Sequence, residues 1–356
     1  MGKDKRQKLW YTAKKLETTN LKKTGAEEMT AEKLFEHQGA ILLAQSDGCA
    51  VWQFRNETGD GTMTTYNKLW FISESGKWKQ GDHYVGCPEY GPFEWDFTHD
   101  SYRFTYFTND IYYDGICPEC GEKADHYSYT EFGTNEKGVS VSATETLYGN
   151  EKVTEVDPYR DAEWAEANKS ERIGIEETDI PTIILAEASS AREGVKLLLD
   201  IYENYGCVYA SGVFVCDKDE VWYVENCSGT QYVAIKLNNM IFLEPNMAVI
   251  GRVDLDDENV IASKDLIAVA KKAGTFVGDE AKNIIDFRAS YARISEKMDQ
   301  RMIDGLNYLN ATYKYDSDAL VADNTKFTIS NLEASDKLVA LYTNIKADRK
   351  LDKDDV

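Results

Sequence analysis

Seven cysteines are the residues of this sequence whose type and spacing invite chemistry: Cys49, Cys87, Cys117, Cys120, Cys207, Cys216 and Cys227. A thiolate is both a strong nucleophile and a soft metal ligand, and its neighbours decide which use it finds. Cys117 and Cys120 form a C-x-x-C knuckle, ICPECG, with Pro and Gly placed as in zinc ribbons. A structural zinc needs four ligands. The imperfect echo GCPEYG offers Cys87, and His126 would be the fourth. Against zinc stands the plainer reading of two free thiols on an inserted loop. Cys207, Cys216 and Cys227 lie in apolar stretches and read as small buried hydrophobes. An odd number of cysteines in a chain large enough to fold without staples argues against a disulfide framework. Asn135, in TNEKG, reads as a turn residue rather than a catalytic one.

The elements that must position such residues belong to a chain of 356 residues, 42% hydrophobic, enough for one large core or two moderate ones. A formal charge of −22 makes the surface self-repelling and nucleic acid an improbable partner. No apolar run reaches the roughly 18 residues of a membrane span, and Ala40 to Ala44 is too short for a signal-peptide core. The expectation is a cytoplasmic protein, or an extracellular one if an N-terminal signal is missing. No cofactor is expected, and a homo-oligomer is compatible with the composition.

Residues 1–33 read as a lead-in, helical or loose, and 34–356 as a single domain with a loop-rich insertion at about 73–131. The runs AILLAQ, CAVWQF and KLWFI, parted by SDG and RNETGDGT, read as successive strands; RFTYF is another. GVSVSATET alternates Val with Ser, as a half-buried strand does. From Ile180 the period turns helical, giving two helices with Ser189 or Ser190 capping the second and Gly206 at its end. GVFVCDKDEVWYVENCSGTQYVAIKL reads as three antiparallel strands. Leu266 to Ala273, Tyr291 to Leu309 and an acidic segment at the C-terminus read as helical. Blocks of antiparallel strands alternating with helices point to a layered α+β architecture. The final residues carry no stop signal, and the reading leaves open an incomplete copy at both ends.

Four segments in order, FGTNEKGVSVSATETLYGNE, SAREGVKLLLDIYENYG, DEVWYVENCSGTQYVAIKL and PNMAVIG, resemble the dipeptidase family that includes the PepD-type cysteine dipeptidases and the secernins. Their order and spacing together carry the resemblance, which is clearest over residues 132–260. It implies an N-terminal-nucleophile hydrolase fold, a four-layer sandwich of two antiparallel sheets between helical layers. It implies a mechanism as well: a Cys freed at the start of a strand attacks an amide carbonyl while its own α-amino group carries the proton. An α-amino group titrates near ~8, close enough to working pH to serve as base and then acid.

In the family, the nucleophile precedes an Asp-Gly turn by about a dozen residues, and an Arg follows the turn. One alignment matches SDGCAVWQFRNET to the turn and the Arg segment, which puts the nucleophile position near Phe35, where no Cys stands. A second takes Cys49 as the nucleophile, behind a cleavable Gly48–Cys49 bond, with Asp60-Gly61-Thr62 as the turn. Arg55 then falls too early to fill the Arg position. A third explanation is that the true first strand is missing. The resemblance makes Arg55 the group that pairs with the substrate carboxylate, and gives Thr144, Glu145 and Asn246 the oxyanion or substrate contacts. Each also has a plain reading, as a turn Arg or as a polar side chain satisfied by local backbone.

Three functions follow for comparison. The first is a dipeptidase acting on short peptides through an acyl-enzyme. The second is an amide hydrolase acting on N-acyl compounds, and the third a truncated or degenerate relative without catalysis.

Overall fold

The β-propensity of the short Val-, Ile- and aromatic-rich runs is realised in a sheet that dominates the structure, a computed structural model describing residues 40–46, 49–54, 70–86, 93–108, 130–144, 147–237, 241–242, 244, 247–293 and 344–345. In chain order the strands are β1 (Ala40–Ser46), β2 (Cys49–Phe54), β3 (Trp70–Ser73), β4 (His83–Val85), β5 (Glu94–Asp96), β6 (Phe104–Thr108), β7 (Thr130–Asn135), β8 (Ser140–Thr144), β9 (Ser211–Cys216), β10 (Val221–Asn226), β11 (Tyr232–Lys236), β12 (Ile241–Phe242), β13 (Arg252–Asp254), β14 (Val260–Ala262), β15 (Gly278–Asp279), β16 (Ile284–Asp286) and β17 (Asn344–Ile345). The helices are α1 (Glu151–Thr154), α2 (Ala162–Asn168), α3 (Ile180–Glu187), α4 (Ala191–Asn204), α5 (Leu266–Ala273) and α6 (Phe287–Tyr291). Eight strands form one sheet in the order β14-β11-β10-β9-β8-β7-β6-β3. Every pairing in it is antiparallel. The architecture is mixed α and β with antiparallel sheets.

The two faces of this sheet bury different layers. Val141, Ala143, Val213, Val215, Trp222, Val224 and Ala234 point one way and pack against α3 and α4. Phe132, Tyr223, Val233 and Ile235 point the other way, into a core shared with Leu266, Ala270, Val253, Ile285 and Phe287. Each fully buried aliphatic or aromatic side chain in these layers contributes about 1.5–3 kcal/mol of transfer free energy.

Local sequence explains the helices under the first face. Ser190 is the N-cap of α4, its Oγ accepting from the Glu193 N–H at 3.3 Å, and Gly206 ends the helix at φ +78. Ile180 to Ala186 of α3 are all buried, which suits a helix that is apolar on every side. Asn135 ties that helix to the β7–β8 turn. Its Oδ1 accepts from Lys137 and Val139 N–H at 3.0 Å each, while its Nδ2 donates to the carbonyls of Leu185 at 2.9 Å and Ala188 at 2.8 Å.

Three sequence expectations change. Residues 73–131, read as loops around the one strand RFTYF, hold that strand as β6 and a further pair, β4 and β5, which form a small hairpin. Three-residue strands are too short to show a two-residue period, and the hairpin is held by aromatic packing, with Trp78 stacked on Phe97 at 4.9 Å and edge-on to Tyr84 at 5.8 Å. The helix expected from Tyr291 instead ends there: the Asp286 side chain accepts from Ala289 N–H at 2.9 Å and starts α6 at Phe287. Residues 294–309 lie outside the described residues. Within the C-terminal segment read as an acidic helix, Asn344 and Ile345 pair with β12, a neighbouring strand outweighing weak helical propensity.

Candidate active site

Thr144 is the one predicted site residue whose side chain lies among the described residues. It ends β8 and sits opposite Gly212 of β9, which in turn sits opposite Glu225 of β10. Thr144, Gly212 and Glu225 therefore form one row across the middle of the sheet, on the face turned away from α3 and α4. The next row on that face is Ser142, Phe214 and Tyr223. Within β8, β9 and β10 only Thr144 and Phe214 keep partial exposure. These two are diagonal neighbours on that face.

Phe214 begins an aromatic wall. Its ring lies 4.7 Å from Tyr223 and 5.5 Å from Phe242, with Tyr223 and Phe242 4.8 Å apart. Below the wall the Glu225 carboxylate is wholly buried. Its Oε1 accepts from the Val249 N–H at 2.6 Å and the Tyr223 hydroxyl at 3.0 Å, and its Oε2 accepts from the Ile250 N–H at 3.1 Å. Burial pushes this carboxyl up to about 7, opposed by the three donors and by the charge of Arg288.

The turn after β10 is fixed by Asp157. Its Oδ2 accepts from the Ser228 hydroxyl at 2.8 Å and the Thr230 N–H at 2.7 Å, and its Oδ1 pairs with Arg160 at 3.1 Å. Beside it, the Cys207 thiol accepts from Asn226 Nδ2 at 2.7 Å and donates to the Ser228 carbonyl at 3.1 Å. Cys207, Cys216 and Cys227 are all buried. Burial pushes Cys207 and Cys227 well above the usual thiol range, so neither supplies a thiolate.

Cys49 opens β2, its backbone paired with Ser46 of β1. β1 runs next to β8 and β10, the strands of Thr144 and Glu225. Arg55, Glu145, Asn246 and the zinc candidates Cys87, Cys117, Cys120 and His126 lie outside the described residues, as does the Cys49 side chain. Residue 35 and the lead-in at 1–33 do too. Among the described residues no three His, Cys, Asp or Glu side chains are grouped to hold a metal. Asn135 closes the β7–β8 turn and ties it to α3 through its four hydrogen bonds. Phe214, Tyr223 and Glu225 are the residues of this region that sequence reasoning passed over. The signal was a lone Glu inside the apolar run VWYVEN, since a carboxylate enters a buried strand only with partners.

An antiparallel sheet layered with helices defines the class, a mixed α/β scaffold. Residues 43–318 match the model of Peptidase family C69, and the chain belongs to that family. A probable dipeptidase B of Streptococcus pyogenes serotype M6 is 38% identical over 156 residues, 43% of this chain and 29% of that protein. A probable dipeptidase of Salmonella dublin is 37% identical over 165 residues, 46% of this chain and 35% of that protein. The chain thus spans about a third of the length of the curated relatives it matches. Among solved structures, penicillin V acylase from Agrobacterium tumefaciens shares 15% identity over 48% of this chain and 44% of its own, with a TM-score of 0.30. No described helix is long and apolar enough to cross a membrane.

Proposed function

We propose that this protein hydrolyses the peptide bond of short peptides, with Cys49 as nucleophile. The observation that carries the reading is the family match over residues 43–318, which includes Cys49 and all four ordered segments. The names of the relatives, probable dipeptidases, favour a dipeptide substrate. In this reading Cys49 is freed by cleavage of the Gly48–Cys49 bond, and its α-amino group takes the thiol proton. The thiolate attacks the substrate carbonyl, and the amine is then protonated and leaves, giving an acyl-enzyme that water hydrolyses.

Thr144, with Glu145 and Asn246, would offer polar contacts to the developing oxyanion or the substrate amine. Arg55 would hold the substrate carboxylate through its planar fork. β1 beside β8 and β10 supports this, since the hairpin that carries Cys49 runs along the strands of the open row. The finer architecture belongs to the same reading: a four-layer N-terminal-nucleophile sandwich within one domain from residue 34, carrying an insertion at about 73–131 and needing no cofactor.

Mass spectrometry of active protein should find a chain beginning at Cys49, and Cys49→Ala should abolish dipeptide turnover. Full activity in an uncleaved chain would remove the N-terminal version. Turnover of N-acyl amines alone would move the substrate class; a thiol-reactive probe that labels no cysteine faster than free thiol would favour a non-catalytic relative, and a trapped acyl-enzyme would refute it.

A further inference from the structure

Among the described residues, the hydrogen bonds of the buried Glu225 carboxylate all come from donors. Val249 N–H and the Tyr223 hydroxyl meet one oxygen, and Ile250 N–H meets the other. An ionised carboxylate accepts all three. A protonated one is a poorer acceptor for both amides: the Tyr223 hydroxyl can turn to accept its O–H, but the Val249 and Ile250 N–H groups only donate. The two amides belong to the stretch that follows Asn246 in sequence, and Glu225 shares its row with Gly212 and Thr144. The amide-bonded backbone is thus anchored at the β10 position of the row that ends in Thr144.

We infer that Glu225 is a positioning residue whose charged carboxylate holds the Val249–Ile250 backbone beside the Thr144–Gly212 row, so that the site works only while Glu225 is ionised. This rests on the peptide-hydrolase reading for its kinetic part, and on hydrogen-bond geometry for the rest. The groups that face Glu225 are Tyr223 and Cys227 from β10 and its end, and Arg288 from α6, with Glu244, after β12, beside Tyr223; the 249–250 stretch presents backbone N–H alone. Burial holds Tyr223 and Cys227 neutral, both far above their usual ranges. Arg288 stays charged. Glu225 is therefore poised to change charge at neutrality, since burial has lifted it to about 7.

The test uses the full chain, with the amide shifts of Val249 and Ile250 followed by NMR between about pH 5.5 and about pH 8.5. Both are expected to inflect together near neutrality. The kcat for a dipeptide should fall on the acid side with the same midpoint, about tenfold one pH unit below it, with KM little changed. Glu225→Gln should abolish the amide inflection and lower kcat, leaving only the pH dependence that the Cys49 α-amino group imposes. Tyr223→Phe, which removes a donor to the charged form, should move the midpoint to higher pH.

Flat amide shifts in the native chain, or an inflection surviving in Glu225→Gln, would overturn the inference, and the native titration needs no variant to fold. If the amides inflect but no peptide is cleaved at any pH, the hydrolase reading fails and the Glu225 hold stands. If peptide is cleaved with kcat independent of pH, the kinetic coupling is overturned.

Discussion

The Tyr223 hydroxyl stands 2.6 Å from the point where a Cβ on Gly212 would sit, and the bare α-carbon at 212 is what lets the tyrosine reach Glu225 at 3.0 Å. The same missing side chain leaves room between Thr144 and Leu147, whose atoms would lie 3.4 Å and 3.3 Å from that Cβ. Gly212→Ala should therefore overpack the row. The expected cost is about 1–3 kcal/mol, read as a lower denaturation midpoint at unchanged m-value. An unaltered midpoint would mean that Tyr223 moves aside freely.

Phe214 is partly open while the rest of β9 is buried, and its ring joins those of Tyr223 and Phe242. An apolar substrate side chain lying there would gain about 1–3 kcal/mol over a small one. Phe214→Ala is expected to lower kcat/KM for dipeptides with large apolar side chains by roughly 10-fold or more, and hardly to affect alanyl or glycyl ones. An equal loss for both sets would detach the aromatic wall from substrate choice.

The link between α4 and the sheet depends on pH from the acid side. Burial alone would raise the Glu220 carboxyl, but hydrogen bonds from Arg192 at 2.5 Å, Trp222 at 2.9 Å and Lys236 at 3.1 Å hold it down at about 2. A depressed folded value means stability present above the ordinary carboxylate range and lost as pH falls toward about 2. Glu220→Gln should cost about 1–3 kcal/mol at neutral pH in urea unfolding, and the gap to the native chain should close in acid. A gap that stays constant with pH would sink the assignment.

His99 acts in the opposite direction. Burial lowers its pKa, but this is outweighed by carbonyl partners on both ring nitrogens, Asp100 O at 2.7 Å and Glu187 O at 2.9 Å, and by the nearby carboxylates, so the net shift is upward. Both nitrogens can donate only in the imidazolium. Its contribution is thus full below pH about 6.5 and disappears as pH rises through the raised value. His99→Gln should lower the Tm at mildly acidic pH and leave it nearly unchanged at about pH 9. Equal loss at both would refute a role for the charge.

The sheet was legible in the sequence where a strand alternates or a turn announces itself: the Val and Ser of GVSVSATET, the DKDE turn, the Ser190 cap. The β4–β5 hairpin was not, because its stability lies in Trp78, Tyr84 and Phe97 meeting across the fold rather than in local pattern. Thr144 was named through family likeness, and the structure sets it at the end of β8 opposite Gly212. Glu225 was not assigned, since its partners at Val249 and Ile250 are main-chain amides, and any residue but proline carries one. Phe214 escaped because an aromatic in a strand reads as core, and only the three-dimensional row reveals the opening beside it.

The connections that join β9 to β10 and β10 to β11 are short, so those three strands can pair early, at a small cost in loop entropy. Gly212, Phe214, Tyr223 and Glu225 thus come from one local unit, and the Val249 and Ile250 amides reach Glu225 from only 24 and 25 residues away. Thr144 joins Gly212 from 68 residues upstream, so the least local contact of the row is the one with β8. The carboxylate and its amide partners can therefore assemble within one stretch of chain, with β8 adding Thr144 from outside it.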